Sequence, residues 1–247
     1  MKALRHILRF FFSLRTTIWL LLALLSLLFY GSIVMPLHEE FQGLQTISVF
    51  QWLSQNPSSL TWWLWGSIGL ISILTANTIF CSFDSLIRKR SARQWLLVIS
   101  PQVIHAGFLF ILLAHLMSAY GSFKGTAVVY NGSVLDLQNG ASAVFERISA
   151  GIGPQGYIES WSVAVRYYRE GKELSHDVIG PNSPSFEGGL GIYVKNVQVE
   201  PYPAALIEVS REPGALWALL GGILFLLGMT TLLLLKARRE EVPGKQP

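Results

Sequence analysis

The sequence predicts an α-helical membrane protein of four transmembrane helices that carries one small antiparallel β-domain on its outer, periplasmic side. Three observations lead there. Of 247 residues, 51% are hydrophobic and 14% charged, where an ordinary soluble domain has about a quarter charged. The apolar residues gather in four runs free of Asp, Glu, Lys and Arg, each near the roughly 20 residues that cross a hydrocarbon core. A segment of different composition, residues 121–213, separates the third run from the fourth. These proportions exclude a single soluble globule and a disordered chain. One cysteine, Cys81, excludes an internal disulfide framework. The formal charge of +4 is scattered along the chain and gives no case for nucleic acid.

The first run, 17–35, follows Lys2, Arg5, Arg9 and Arg15 and could be mistaken for a signal peptide. It is too long for one, and it ends in Val34-Met35-Pro36 rather than a small-x-small cleavage site, so an uncleaved anchor is expected. The second run covers 60–83, the third 95–120 and the fourth 214–235. Lysine and arginine in the short flanks set the orientation. Four lie in the N-terminal tail. Arg88, Lys89, Arg90 and Arg93 lie between runs two and three, and Lys236, Arg238, Arg239 and Lys245 follow run four. The loop 36–59 has Glu39 and Glu40 but no lysine or arginine. Both termini and the loop 84–94 are therefore expected in the cytoplasm of a bacterial cell. Residues 1–120 form the tail and first three spans, 121–213 the outer β-domain, and 214–247 the last span and tail.

In the outer loop, Leu44, Ile47, Phe50, Trp52 and Leu53 make a mixed apolar face before Asn56-Pro57-Ser58-Ser59, which fits a short interfacial or re-entrant helix. Trp62, Trp63 and Trp65 then stand where an aromatic belt meets the lipid interface. Within 121–213, Asn131-Gly132 between 126–130 and 133–137 predicts a tight type I′ hairpin. Trp161, Val163, Val165 and Tyr167 alternate as in a half-buried strand. Glu170-Gly171-Lys172 reads as a turn into 174–179; further strands fit 192–199 and 205–210, and 181–189 is a loop by composition.

Most catalytic chemistry lacks its residues. There is no Gly-x-Ser-x-Gly elbow, no Cys-x-x-Cys for thiol exchange, no Cys-x-x-Cys-His for a c-type cytochrome, and no zinc spacing or phosphate-binding glycine loop. An ion-coupled transporter is disfavoured by spans without acidic or basic side chains. His105 stands out. It lies ten positions into the third span, about 15 Å along the helix from Trp95, where an ionisable group is costly. Two readings stay open: a histidine hydrogen-bonded to a neighbouring helix, or an axial haem ligand, a common role of neutral imidazole. Gly107 beside it would admit a helix or a planar ligand. His115 lies ten residues on, roughly 80° around the helix, and reads as a packing or interfacial histidine with a weaker claim to a cofactor. His6, His38 and His176 carry less.

Several short motifs resemble the ResB/CcsB family of the System II pathway of cytochrome c maturation. SLRTTIW at 13–19 enters the first span, and residues 31–36 leave it. ANTIFCSFDSL at 76–86 resembles the family's Asn…Cys pattern at the end of the second span. HAGFLFILL at 105–113 and GSFKG at 121–125 resemble the third span and its exit. Asn182-Ser183-Pro184, GGLGIY at 188–193 and Glu212-Pro213-Gly214 resemble the end of the outer domain. The resemblance implies an accessory, non-catalytic subunit working with a multi-span CcsA/ResC-type partner. The pair would move haem across the bilayer and attach it to the Cys-x-x-Cys-His of apocytochrome c. It also implies b-type haem held transiently and shared with the partner, with His105 as the matching iron ligand. One departure stands out: the outer domain is far smaller than in most of the family. The tryptophan-rich haem-handling segment, which the resemblance gives to the partner, is also missing from this chain. The alternative is a haem-free membrane scaffold whose outer β-domain holds a client or partner.

Overall fold

The computed structural model describes residues 14–88, 95–154 and 156–240. Lys2, Arg5, His6, Arg9, Lys89, Arg90, Arg93 and Lys245, which bear on the expected orientation or were weighed above, lie outside the described residues. The chain forms two compact units. One comprises 1–44, 49–120 and 214–247, the other 45–48 and 121–213.

The helical unit contains α1 (Leu14–Val34), two 3-10 turns (Met35–Leu37 and Glu39–Gln45), α2 (Val49–Gln55), α3 (Ser58–Arg88), α4 (Trp95–Gly121) and α5 (Ala215–Glu240). Four of these helices, all but α2, are long and apolar enough to cross a membrane. Helix α1 packs on α3 through small residues and one polar link. A side chain on Gly31 would overlap the Trp63 ring, and the Thr17 hydroxyl donates to Asn77 Oδ1 at 3.2 Å. The expected helix in loop 36–59 is α2. Trp52 in it stacks on Phe41 at 5.0 Å and donates its indole N–H to the Glu40 carbonyl at 2.8 Å. The three tryptophans at the start of α3 do not act alike. Trp62 and Trp65 are half-exposed, whereas Trp63 is buried beside Phe41 and Gly31. Two of them therefore suit a lipid interface and the third is core.

Helices α4 and α5 meet along a seam of small residues seven apart. Gly214, Gly221 and Gly228 face Ala114, Gly107 and Ser100, the last three all buried. A Cβ on Gly221 would lie 2.7 Å from the Gly107 carbonyl, and one on Gly228 would lie 3.0 Å from the Ser100 carbonyl. A seven-residue repeat keeps one stripe of a helix on its neighbour over several turns, and small residues let the backbones close up. Gly107 is thus taken by α5. At 100° per residue it lies about 160° around α4 from His105, so it cannot admit a ligand to that histidine.

The second unit has eight strands: β1 (Phe123–Tyr130), β2 (Ser133–Asp136), β3 (Ser142–Ile152), β4 (Ile158–Arg169), β5 (Lys172–Ile179), β6 (Ser185–Glu187), β7 (Leu190–Gln198) and β8 (Ala204–Arg211). They make two antiparallel sheets, ordered β2-β3-β4-β5 and β1-β8-β7-β6. Both sheets contribute to one core, in which Phe145, Val163, Ile192 and Ile207 are fully buried. Thr46 joins this unit, its carbonyl accepting from the Lys124 N–H at 3.1 Å.

Two turns exchange their expected roles. Asn131-Gly132 is not a hairpin, because β1 pairs with β8 and β2 with β3. Only Gly132 has positive φ there, and Asn131 Oδ1 instead accepts from the Ile148 N–H at 2.7 Å. The pair turns the chain from one sheet to the other. The tight two-residue hairpin is at Glu170-Gly171, with φ of 50° and 77°, closing the Arg169–Lys172 pair of β4 and β5. The segment 181–189 is a loop that includes the short strand β6.

Candidate functional site

His105 is partly buried in α4, and its ring reaches across to α3, where Nδ1 lies 2.9 Å from the Ser82 hydroxyl. Nε2 makes no hydrogen bond with the described residues. Neutral imidazole has one donor and one acceptor nitrogen, so this ring has one nitrogen engaged and one available. Ser82 was not singled out by sequence reasoning. Hydroxyls are common in apolar helices, and nothing in spacing tells which of them will reach a neighbour.

The polar side chains nearby on α3 belong to a different link. Asn77 is buried, and its Oδ1 accepts from Thr17 and is approached by the Cys81 thiol at 3.6 Å. On α4, Gln102 lies three residues before His105, which puts the two on neighbouring positions of one helix face. Its Oε1 is buried without a hydrogen-bond partner. An unpaired acceptor of this kind costs about 1–3 kcal/mol.

His115 does not join His105. It lies exposed in a groove of about 570 Å³ between α3 and α4, lined by apolar residues such as Ile68, Ile79, Leu112 and Leu116. Two polar residues of that lining, Ser72 and Thr75, bond back to the carbonyls of Ile68 and Ile71. His38 and His176 lie 3.9 Å from Glu40 and Glu173, in exposed pairs.

In the β-unit, Tyr167 donates its O–H to Ser185 Oγ at 2.8 Å inside the core. Burial pushes this phenol up to about 12, with smaller contributions from Asp177 and Glu187. On the surface, Arg166 lies between Glu146 and Glu173, which raise it above the ordinary arginine value, Glu146 more strongly. Both arrangements are structural pairings.

Among the described residues, no three His, Cys, Asp or Glu side chains gather to hold a metal ion. A single imidazole with a free nitrogen can serve a metal that brings most of its own ligands. Haem is such a group, since its macrocycle fills the equatorial positions and the protein supplies axial ones. The donor set at His105 fits one axial position; a second ligand would have to come from elsewhere.

Fold and site together describe four long apolar helices, one offering an imidazole toward its neighbour, and an eight-stranded β-unit inserted in the chain before the last helix. No protein-family model matches the chain, and no curated protein does. Among solved structures it is similar to one described as "Cytochrome c Heme Lyase CcmF", with a TM-score of 0.45 and 16% identity. The similarity covers 90% of this chain and 35% of that one, so this chain spans about a third of its neighbour's length. The neighbour is not a ResB/CcsB protein, and kinship with that family stays an expectation of the sequence motifs.

Proposed function

We propose that this chain is a membrane subunit of cytochrome c biogenesis of the System II kind, in which His105 offers one axial ligand to haem. The observation that carries this reading is the state of the His105 ring: Nδ1 held at 2.9 Å by Ser82, Nε2 without a partner. Its place midway along an apolar helix and the ordered ResB/CcsB motifs support it. In this reading the four long helices span the bacterial cytoplasmic membrane with both termini inside, and the β-unit is periplasmic. A multi-span CcsA/ResC-type protein supplies the second ligand and the missing haem-handling segment, and apocytochrome c is the client. Haem, when bound, supplies the group that becomes attached to the client's Cys-x-x-Cys-His. This chain's own part is to hold an imidazole at fixed height and rotation, and to exclude water with the apolar walls of α3 and α4.

The experiment is co-purification with the presumed partner, followed by a visible spectrum of wild type and His105→Ala. The expected outcome is haem in the wild-type complex, with less haem or altered axial ligation in the variant. A second reading, a haem-free scaffold, is favoured by the Ser82 contact taken alone, because a packed histidine makes the same bond. It predicts no haem band in either complex.

A further inference from the structure

We propose that Ser82 is the positioning residue of His105: its hydroxyl accepts the Nδ1–H and so presents Nε2 as the lone-pair nitrogen. This rests on the haem reading above and deepens it.

The geometry begins with a departure from habit. Hydroxyl side chains in a helix commonly bond back to the carbonyl four residues earlier, and five described ones on α3 do so, Thr61 to Pro57 at 3.3 Å among them. Ser67 donates to Trp63, Ser72 to Ile68, Thr75 to Ile71 and Thr78 to Leu74, at 2.8–2.9 Å. Ser82 instead meets His105 on the next helix. A hydroxyl both donates and accepts, so the contact has two possible senses. If Ser82 donates to Nδ1, the ring proton sits on Nε2 and an N–H is left orphaned among apolar helices. If Ser82 accepts from Nδ1–H, an unprotonated Nε2 is left over instead. Orphaned donors are rarer in proteins than under-used acceptors, so a bare Nε2 is less costly than an orphaned Nε2–H. Nδ1 protonated and Nε2 bare is the tautomer that can ligate iron.

A histidine that binds a metal through one nitrogen commonly donates from the other to an oxygen, which fixes the ring's tautomer and rotation. Ser82 supplies that oxygen from a different helix. The ligand is therefore aimed by the packing of α3 on α4 and not by α4 alone.

Two measurements on the full chain in lipid nanodiscs test this. The first is ¹⁵N NMR of histidine-labelled protein without haem. Wild type is expected to show His105 protonated at Nδ1, and Ser82→Ala to lose that preference; a wild-type ring protonated at Nε2 overturns the proposal. The second is titration with haemin, followed by the Soret band. Ser82→Ala is expected to weaken binding by about 10–100-fold, the usual cost of losing such a partner, and Ser82→Thr, which keeps the hydroxyl, to restore it. If His105→Ala weakens haemin binding and Ser82→Ala does not, the positioning role is overturned and the haem reading stands. If neither variant changes haemin binding, both fall.

Discussion

The β-unit closes on itself, and the long helices do not. Sixteen buried apolar residues from both sheets form one core in the first. In the second, at most 11% of the most apolar stretch of any long helix is buried, and residues such as Trp19, Phe29, Phe83 and Leu226 are exposed. Tyr167 and Ser185 satisfy each other inside the β-core, whereas the Trp63 indole N–H and Gln102 Oε1 are buried on the helices without a partner. One unit has the anatomy of a domain that stands on internal contacts. The other is a set of long helices, apolar enough to cross a membrane, whose apolar side chains are left largely exposed.

That contrast can be broken from either side. The largest effect is expected from Phe145→Ala, which empties a fully buried position of the β-core and should cost about 3–5 kcal/mol. Pulse proteolysis of the full chain would then show cleavage within 121–213 rising by at least about a hundredfold, with the helices still inserted. Unchanged protection would mean that this core does not hold the unit together. A smaller loss, about 1–3 kcal/mol, is expected of Gly107→Leu, since the new side chain meets the α5 backbone with no room to turn aside. Thermal unfolding in detergent, read by size-exclusion chromatography, would report it. Survival with an unchanged midpoint would mean that α4 and α5 do not close on each other.

The smallest effect concerns Tyr167→Phe, which removes a buried hydrogen bond for about 1 kcal/mol. It also removes a pH response. The phenol titrates near 10 when unfolded and is pushed up to about 12 when folded, so the native state holds the proton more tightly. Its contribution to stability is whole below about pH 10 and is lost as pH rises toward 12. Denaturation curves of wild type should therefore weaken across that window more steeply than those of Tyr167→Phe. Parallel curves would show that Tyr167 is not held as described.

Much of this architecture is legible in the residue order, for physical reasons that differ by region. The four long helices announce themselves as uncharged apolar runs, because a helix that faces an apolar medium on most sides needs no periodicity. His105 is legible because it interrupts such a run. Its partner Ser82 is not, since a hydroxyl's choice between its own helix and the next depends on how the two helices are rotated. Gly107 illustrates the same limit: it lies next to His105 in sequence and about 160° away on the helix, serving α5. In the β-unit, alternation revealed β4, but β3 escaped notice, its register shifted by a bulge between Phe145 and Arg147. Asn131-Gly132 carried the strongest hairpin signature, yet the hairpin formed at Glu170-Gly171. Turn chemistry states what a dipeptide can do, and strand pairing decides where it is needed.

The glycine seam of α4 and α5 has a mechanical consequence. Its contacts recur every seven residues, about 10.5 Å along the axis, with side-chain bulk between them. A slide of α4 along α5 by any lesser step drives side chains into backbone, so the pair behaves as a detent with widely spaced stops. Helices α4 and α5 are thereby coupled along their axes, and a displacement of one carries the other with it.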